Sequence, residues 1–163
     1  MKTVEKLSHR PVESKDFETI CNLPQNAEEL FFMFPKAQFP FTVEQLKTAV
    51  SNRFDSTVIL LNEKVVGFAN FYEAEKGKHC SIGNVVVNSM CRNQDIGKFL
   101  IETMENLAVE KYNVLELHIS CFNTNTKGVL LYAKLGYTPY EVEKRLNLQD
   151  EPLALIKMKK AVQ

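Results

Sequence analysis

The stretch Cys91-Arg-Asn-Gln-Asp-Ile-Gly-Lys-Phe-Leu100 joins two different patterns. Before it comes the apolar run Ile82-Gly-Asn-Val-Val-Val87, and after it Ile96, Phe99, Leu100, Met104, Leu107 and Ala108 recur at helical spacing as far as Tyr112. Strand, short turn and helix follow one another, so the turn ends in the free N–H groups of a helix N-terminus. Those groups carry the equivalent of roughly half a positive charge and attract anions. Gly97 lets the backbone approach a ligand with no Cβ in the way, and Arg92 and Lys98 add full charges at the rim. A second reading fits the loop equally well: a plain strand-to-helix turn with Asp95 as N-cap.

Two phosphate-binding motifs are excluded. A Walker A loop needs G-x-x-x-x-G-K-[ST], but Gly97-Lys98 is followed by Phe99 and Arg92 stands at the first glycine. A nucleotide-dependent kinase or ATPase therefore lacks its magnesium-binding hydroxyl. The Rossmann G-x-G-x-x-G is also absent, and the strands before the loop are joined as hairpins.

Working outward, Val4 to Arg10 reads as a first strand ending at Pro11, and Ser14 as an N-cap for a short helix to Asn22. Residues 26–30 look helical, and Thr42 caps a helix from Val43 to about Arg53. Residues 56–61 and 65–72 are β-branched and aromatic and form a hairpin across Asn62-Glu-Lys64. Lys76-Gly-Lys78 turns into a strand from about Cys80 to Val87. After the Ile96–Tyr112 helix come a strand from Val114 to Cys121 and a helix from Asn125 to Leu135, closed by Gly136 at C′. Strands over residues 137–144 and 153–159 end the chain. The order implies one α/β domain over residues 1–163 with a mixed sheet.

The formal net charge is zero and charged residues make up 25% of the chain, which argues against a nucleic-acid partner. No apolar run approaches the roughly 18 residues that span a bilayer, and residues 1–6 lack the apolar core of a signal peptide, so a cytoplasmic location with no membrane partner is expected. Cys21, Cys80, Cys91 and Cys121 are scattered, as are His9, His79 and His118, so no metal site is expected.

The chain resembles the GNAT superfamily of acyl-CoA-dependent N-acetyltransferases. That family's loop reads Q/R-x-x-G-x-G/A, which Arg92-Asn-Gln-Asp-Ile-Gly97 fits at its first and last positions. Its second signature is an Asn, a small residue three further on, and a Tyr within LY-x-K-x-G-F; Asn125-Thr-Lys-Gly128-Val-Leu-Leu-Tyr132-Ala-Lys-Leu-Gly-Tyr137 matches it in spacing. The ending Leu153-Ala-Leu-Ile-Lys-Met-Lys159 is similar to the family's last strand. The resemblance implies an α+β fold with a mostly antiparallel sheet of about six to seven strands flanked by helices, two of the strands splaying apart to hold CoA. It implies acetyl-CoA as co-substrate and an amine acceptor, in a monomer or homodimer. Its pyrophosphate would sit on Arg92, Asn93, Gln94, Asp95, Ile96, Gly97 and Lys98, and its pantetheine arm along Val85, Val86 and Val87. Asn125 and Gly128 would order the far wall, with Tyr132 facing the sulfur. Asp95 replaces a family glycine; turning its carboxylate back onto the helix amides as a cap would keep it off the phosphates.

Acetyl transfer needs a neutral amine, an N–H for the acyl oxygen and a proton for the departing thiolate. Backbone N–H groups over Val85–Val87 are the expected oxygen donors. Tyr132 is the candidate acid: a phenol near pKa 10 and a thiol near 8.5 put full proton transfer about 2 kcal/mol uphill, so hydrogen bonding is its main action. His79 is the candidate base, imidazole being the side chain that exchanges protons near neutrality. Neutralising a lysine-like amine at pH 7 costs about 4.6 kcal/mol against about 1.4 for an α-amine, so a site without a strong base suits the second. Phe31, Phe32, Phe34, Phe39 and Phe41 either line an acceptor pocket or pack short helices on the sheet, and Glu73 and Glu75 either attract a cationic amine or form a solvated edge. The alternative function is a non-catalytic acyl-CoA-binding regulatory module.

Overall fold

The computed structural model describes residues 6–91 and 95–162. Seven strands form one sheet: β1 (Leu7–Pro11), β2 (Phe54–Leu61), β3 (Lys64–Glu75), β4 (His79–Val87), β5 (Glu116–Phe122), β6 (Thr138–Leu146) and β7 (Pro152–Ala161). Their order across the sheet is β1-β2-β3-β4-β5-β7-β6, antiparallel at every step except β4–β5. The last strand thus inserts between β5 and β6, a placement that hairpin logic does not supply. The helices are α1 (Phe17–Cys21), α2 (Ala27–Met33), α3 (Val43–Asn52), α4 (Ile96–Tyr112) and α5 (Thr126–Lys134).

The central strands are buried on both faces, which is why they read as near-continuous apolar runs. Ile59 and Ala69 pack with Leu100, Ile101 and Met104 of α4 in one core. Their neighbours Val58, Leu60 and Phe68 point the other way, to Ile20, Leu30 and Leu46 of α1–α3. Side chains alternate along a strand, so one extended segment serves two cores.

Local signals behave as their chemistry dictates. Asn26 caps α2 by accepting from Glu29 N at 2.8 Å, and Thr42 caps α3 through Gln45 N at 3.3 Å. Gly136, at φ +99°, ends α5 in the left-handed region. Ser14 is not the N-cap: residues 14–16 form a 3₁₀ turn with Glu13 at the N-cap position, and Asp16 at the third position accepts from Glu13 N at 2.8 Å. Residues 4 and 5 of the expected first strand lie outside the described residues.

Asp16 is buried and held in a two-point pair with Arg10, at 2.7 and 2.9 Å. The Arg10 hydrogen bonds hold its carboxyl below the usual carboxylate range, against the opposing effect of burial. A depressed carboxylate stabilises the fold above its unfolded value near 3.9, and that stability is lost as pH falls through the folded value. Asp16→Asn is therefore expected to cost about 2 kcal/mol at pH 7 and to flatten the acid limb of a urea stability-against-pH curve. An unchanged acid limb contradicts this.

Candidate active site

β4 and β5 pair only from His79–Ile82 to Glu116–Ile119, and then part. The cause lies in β4. Phe68 of β3 opposes Val86 and Asn70 opposes Gly83, so Ala69 faces two residues, Asn84 and Val85. This bulge, with Asn84 at φ +50°, bends the rest of β4 away from β5. Between them opens a cavity of about 440 Å³. From Gly83 to Val87 the β4 edge on this side carries no strand. Val85 lines the cavity, whereas Val86 and Val87 turn their side chains into the two cores and offer only backbone.

A buried polar chain fixes the bulge. Asn84 donates Nδ2–H to Met33 O at 3.0 Å and accepts from Asn70 Nδ2 at 2.9 Å. Asn70 in turn accepts from Arg53 Nη1 at 3.3 Å. The two asparagine side chains are almost fully buried, so each such bond counts.

The facing wall belongs to β5 and α5. Asn125 caps α5 by accepting from Gly128 N at 3.2 Å and lines the cavity. A Cβ at Gly128 would stand 2.8 Å from Asn125 Nδ2 and 2.9 Å from Cys121 Sγ, so the small residue three after the Asn exists to admit the cap. One turn on, Tyr132 is only 5% exposed and borders the cavity, and its phenol has no hydrogen-bond partner among the described residues. Burial first, then the neighbouring Cys121, push its pKa well up, so the phenol keeps its proton. Burial likewise pushes the Cys121 thiol up to about 12, which makes it a poor nucleophile at neutral pH.

Arg92, Asn93 and Gln94 lie outside the described residues. Asp95 does not cap α4: it sits at φ +53°, ψ 29°, exposed, with no side-chain bond to the helix amides. An N-cap side chain reaches those amides from extended backbone, which this residue does not have. Asp is among the few non-glycine residues that take this conformation, the one a glycine adopts freely. The first bond into the helix runs from Phe99 N to Asp95 O at 3.0 Å, leaving the amides of Ile96, Gly97 and Lys98 ahead of it. Gly97 answers a packing need as well: a Cβ there would meet Leu131 of α5 at 3.0 Å.

At the other end, His79 lies where β5 still pairs, and His118 stacks on its ring at 4.3 Å and 13°. His118, not His79, borders the cavity; its Nε2 lies 2.9 Å from Glu116 and its Nδ1 3.5 Å from the Tyr140 hydroxyl. A second bulge, at Tyr72, puts Tyr72 and Glu73 on the cavity together, and Ser81 donates to Glu73 at 3.2 Å. Glu75 instead pairs with Lys78 at 2.9 Å. The phenylalanine cluster divides: Phe32 and Phe34 border the cavity, Phe31 and Phe41 are buried, and Phe39 is exposed. The sequence reading missed His118, Arg53 and Tyr72. His118 shares its strand face with Glu116 and Ser120, a period-two signal; Arg53 and Tyr72 carry no comparable signal. Among the described residues no His/Cys/Asp/Glu group is placed to hold a metal, and no helix is long and apolar enough to cross a membrane.

No curated protein matches the chain in sequence. Solved structures share its fold. A ribosomal-protein-alanine N-acetyltransferase from Brucella melitensis superposes with TM-score 0.76 at 19% identity, over 95% of this chain and 99% of its own. A GNAT-family acetyltransferase from Streptococcus pneumoniae gives 0.71 at 21%, over 97% and 100%. Spermidine N-acetyltransferase from Vibrio cholerae, in complex with CoA and spermine, gives 0.79 at 16%, over 95% of both. Residues 20–137 match the family described as the acetyltransferase (GNAT) family, and this chain belongs to it.

Proposed function

We propose that the protein transfers an acetyl group from acetyl-CoA to a primary amine by direct attack within a ternary complex. One observation carries the reading: the bulged β4 edge beyond Ile82 and the Tyr132 phenol, which has no hydrogen-bond partner among the described residues, line one cavity. The residues present fit the co-substrate. An extended pantetheine arm would take the open β4 edge as an added strand, and a pyrophosphate would take the amides of Ile96, Gly97 and Lys98. When bound, acetyl-CoA supplies an acyl group activated as a thioester.

The protein's own groups do the rest. Backbone N–H at the Asn84–Val87 segment bonds the acyl oxygen, and Asn125 with Gly128 fixes the start of α5 so that Tyr132 stays on the cavity. Tyr132, kept protonated by burial, hydrogen-bonds the leaving sulfur. The raised Cys121 thiol argues against an acyl-enzyme. We assign proton acceptance from the amine to His118, which faces the cavity, with His79 stacked behind it and acting through it. That the neighbours are named for amine acceptors, spermidine and ribosomal-protein alanine, fits the same chemistry.

Thiol release from acetyl-CoA, followed across a panel of primary amines, tests the proposal: amine-dependent release is expected. A non-catalytic acyl-CoA-binding module is favoured only by Asp95, whose charge stands at the phosphate end; it requires CoA binding with no amine-dependent release. The same charge gives a second expectation. Two negative charges at about 6 Å in water repel a carboxylate by about 1.4 kcal/mol, so Asp95→Gly should tighten CoA about tenfold by calorimetry. Unchanged or weaker binding contradicts placing the pyrophosphate there.

A further inference from the structure

Arg53 lacks a counter-ion among the described residues. It follows α3 in extended backbone and reaches across to the cavity, where the Phe34 and Tyr72 rings flank its guanidinium, each at 5.6 Å. A guanidinium has five N–H donors, and its one hydrogen bond among the described residues goes to Asn70 Oδ1. No carboxylate lies within ion-pair distance of it among those residues. Of the other cations on the cavity, Arg145 pairs with Glu143 at 2.7 Å and Lys157 with Glu143 and Glu141 at 2.7 and 3.1 Å, while Lys36, on a flexible stem at the rim, also has no ion pair among the described residues. Burial without a counter-ion disfavours the charged form, and desolvation lowers the Arg53 pKa accordingly. A guanidinium positioned near two aromatic rings, with donors left over, is suited to recognise a carboxylate.

We infer that the acceptor is a small amine that also carries a carboxylate, an amino acid or close analogue, and that Arg53 binds that carboxylate. The inference rests on the acetyl-transfer reading and narrows its substrate. Position fixes the size of the acceptor. Arg53 Nη1 lies 2.6 Å from where a Cβ of Gly83 would stand, and Gly83 immediately precedes the Asn84 bulge. The carboxylate site therefore adjoins the β4 edge at Gly83, which suits an acceptor whose amine and carboxylate lie close together. The N-terminus of a protein lacks such a carboxylate, having spent it in an amide. Glu73, on the same cavity and held by Ser81, supplies the opposite charge for the incoming ammonium. A polyamine, by contrast, would meet Arg53 with no anion to offer it.

The test uses the full chain. Thiol release is compared for free amino acids, their carboxamides and a polyamine, with wild type, Arg53→Gln and Arg53→Lys. Wild type is expected to favour amino acids over the matching carboxamides by about 30-fold in kcat/KM, and Arg53→Gln to remove that preference through KM. CoA affinity should stay within about twofold, which separates an acceptor carboxylate from a CoA phosphate. Equal or better use of carboxamides or the polyamine by wild type overturns the inference without touching acetyl transfer. If no amine is acetylated, acetyl transfer fails, and the carboxylate site is still judged by titrating N-acetyl amino acids. Binding that weakens about 30-fold in Arg53→Gln upholds it, and no binding to wild type overturns it. The wild-type comparisons decide the matter even if both variants fail to fold.

Discussion

Tyr132→Phe is expected to lower kcat about 100-fold while CoA affinity stays within about twofold. The ring remains, so the packing against Tyr137 and α5 remains with it. Only the hydroxyl goes, and among the described residues that hydroxyl has no partner to lose. Its interaction is therefore reserved for the departing sulfur, where charge develops in the transition state. A loss in kcat with KM for acetyl-CoA unchanged is the signature of such a contact. Steady-state kinetics beside calorimetry reads both quantities; an equal loss in CoA affinity, or no loss in kcat, removes Tyr132 from the chemistry.

Asn70→Ala is expected to be the most damaging single change to the fold of the site. Asn70 is fully buried and serves Arg53, Asn84 and Ser56 at once, at 3.3, 2.9 and 3.4 Å. Truncation strands the Asn84 Oδ1 away from water and removes the Arg53 and Ser56 bonds, at a cost of about 3 kcal/mol. For a chain of this size that lowers Tm by about 6–10 °C. Because Asn84 holds the left-handed bend, the splay of β4 from β5 should relax too, and kcat/KM should fall more than thermal stability alone explains. Thermal unfolding and kinetics on the same sample check this; a Tm within about 1 °C of wild type contradicts the network's role.

Much of this was legible in the chain. The β-branched and aromatic runs of β2 and β3, the Thr42 cap and the Gly136 stop report local preferences that the fold keeps. The Asn125–Tyr132 spacing places both residues on one cavity because one caps α5 and the other lies two turns on along it. What was not legible is non-local. Nothing in the last strand says that it inserts between β5 and β6. Arg53 reads as a helix-end cation, and only the sheet brings Phe34, Asn70 and Gly83 around it. His79 has the right strand and the right face, yet it is His118, stacked on its ring, that borders the cavity. A glycine beside an asparagine in a run of β-branched residues was itself a bulge signal, at Gly83-Asn84. Asp95 shows the limit of local rules: a good capping residue does not cap once its backbone is left-handed.

The most direct measurement is a crystal structure of the protein with CoA. The account predicts the pantetheine along the open edge of β4, the diphosphate on the first amides of α4, and the sulfur within hydrogen-bonding reach of the Tyr132 oxygen. Coenzyme density elsewhere, or a sulfur on the far side of β5 from that oxygen, would contradict it.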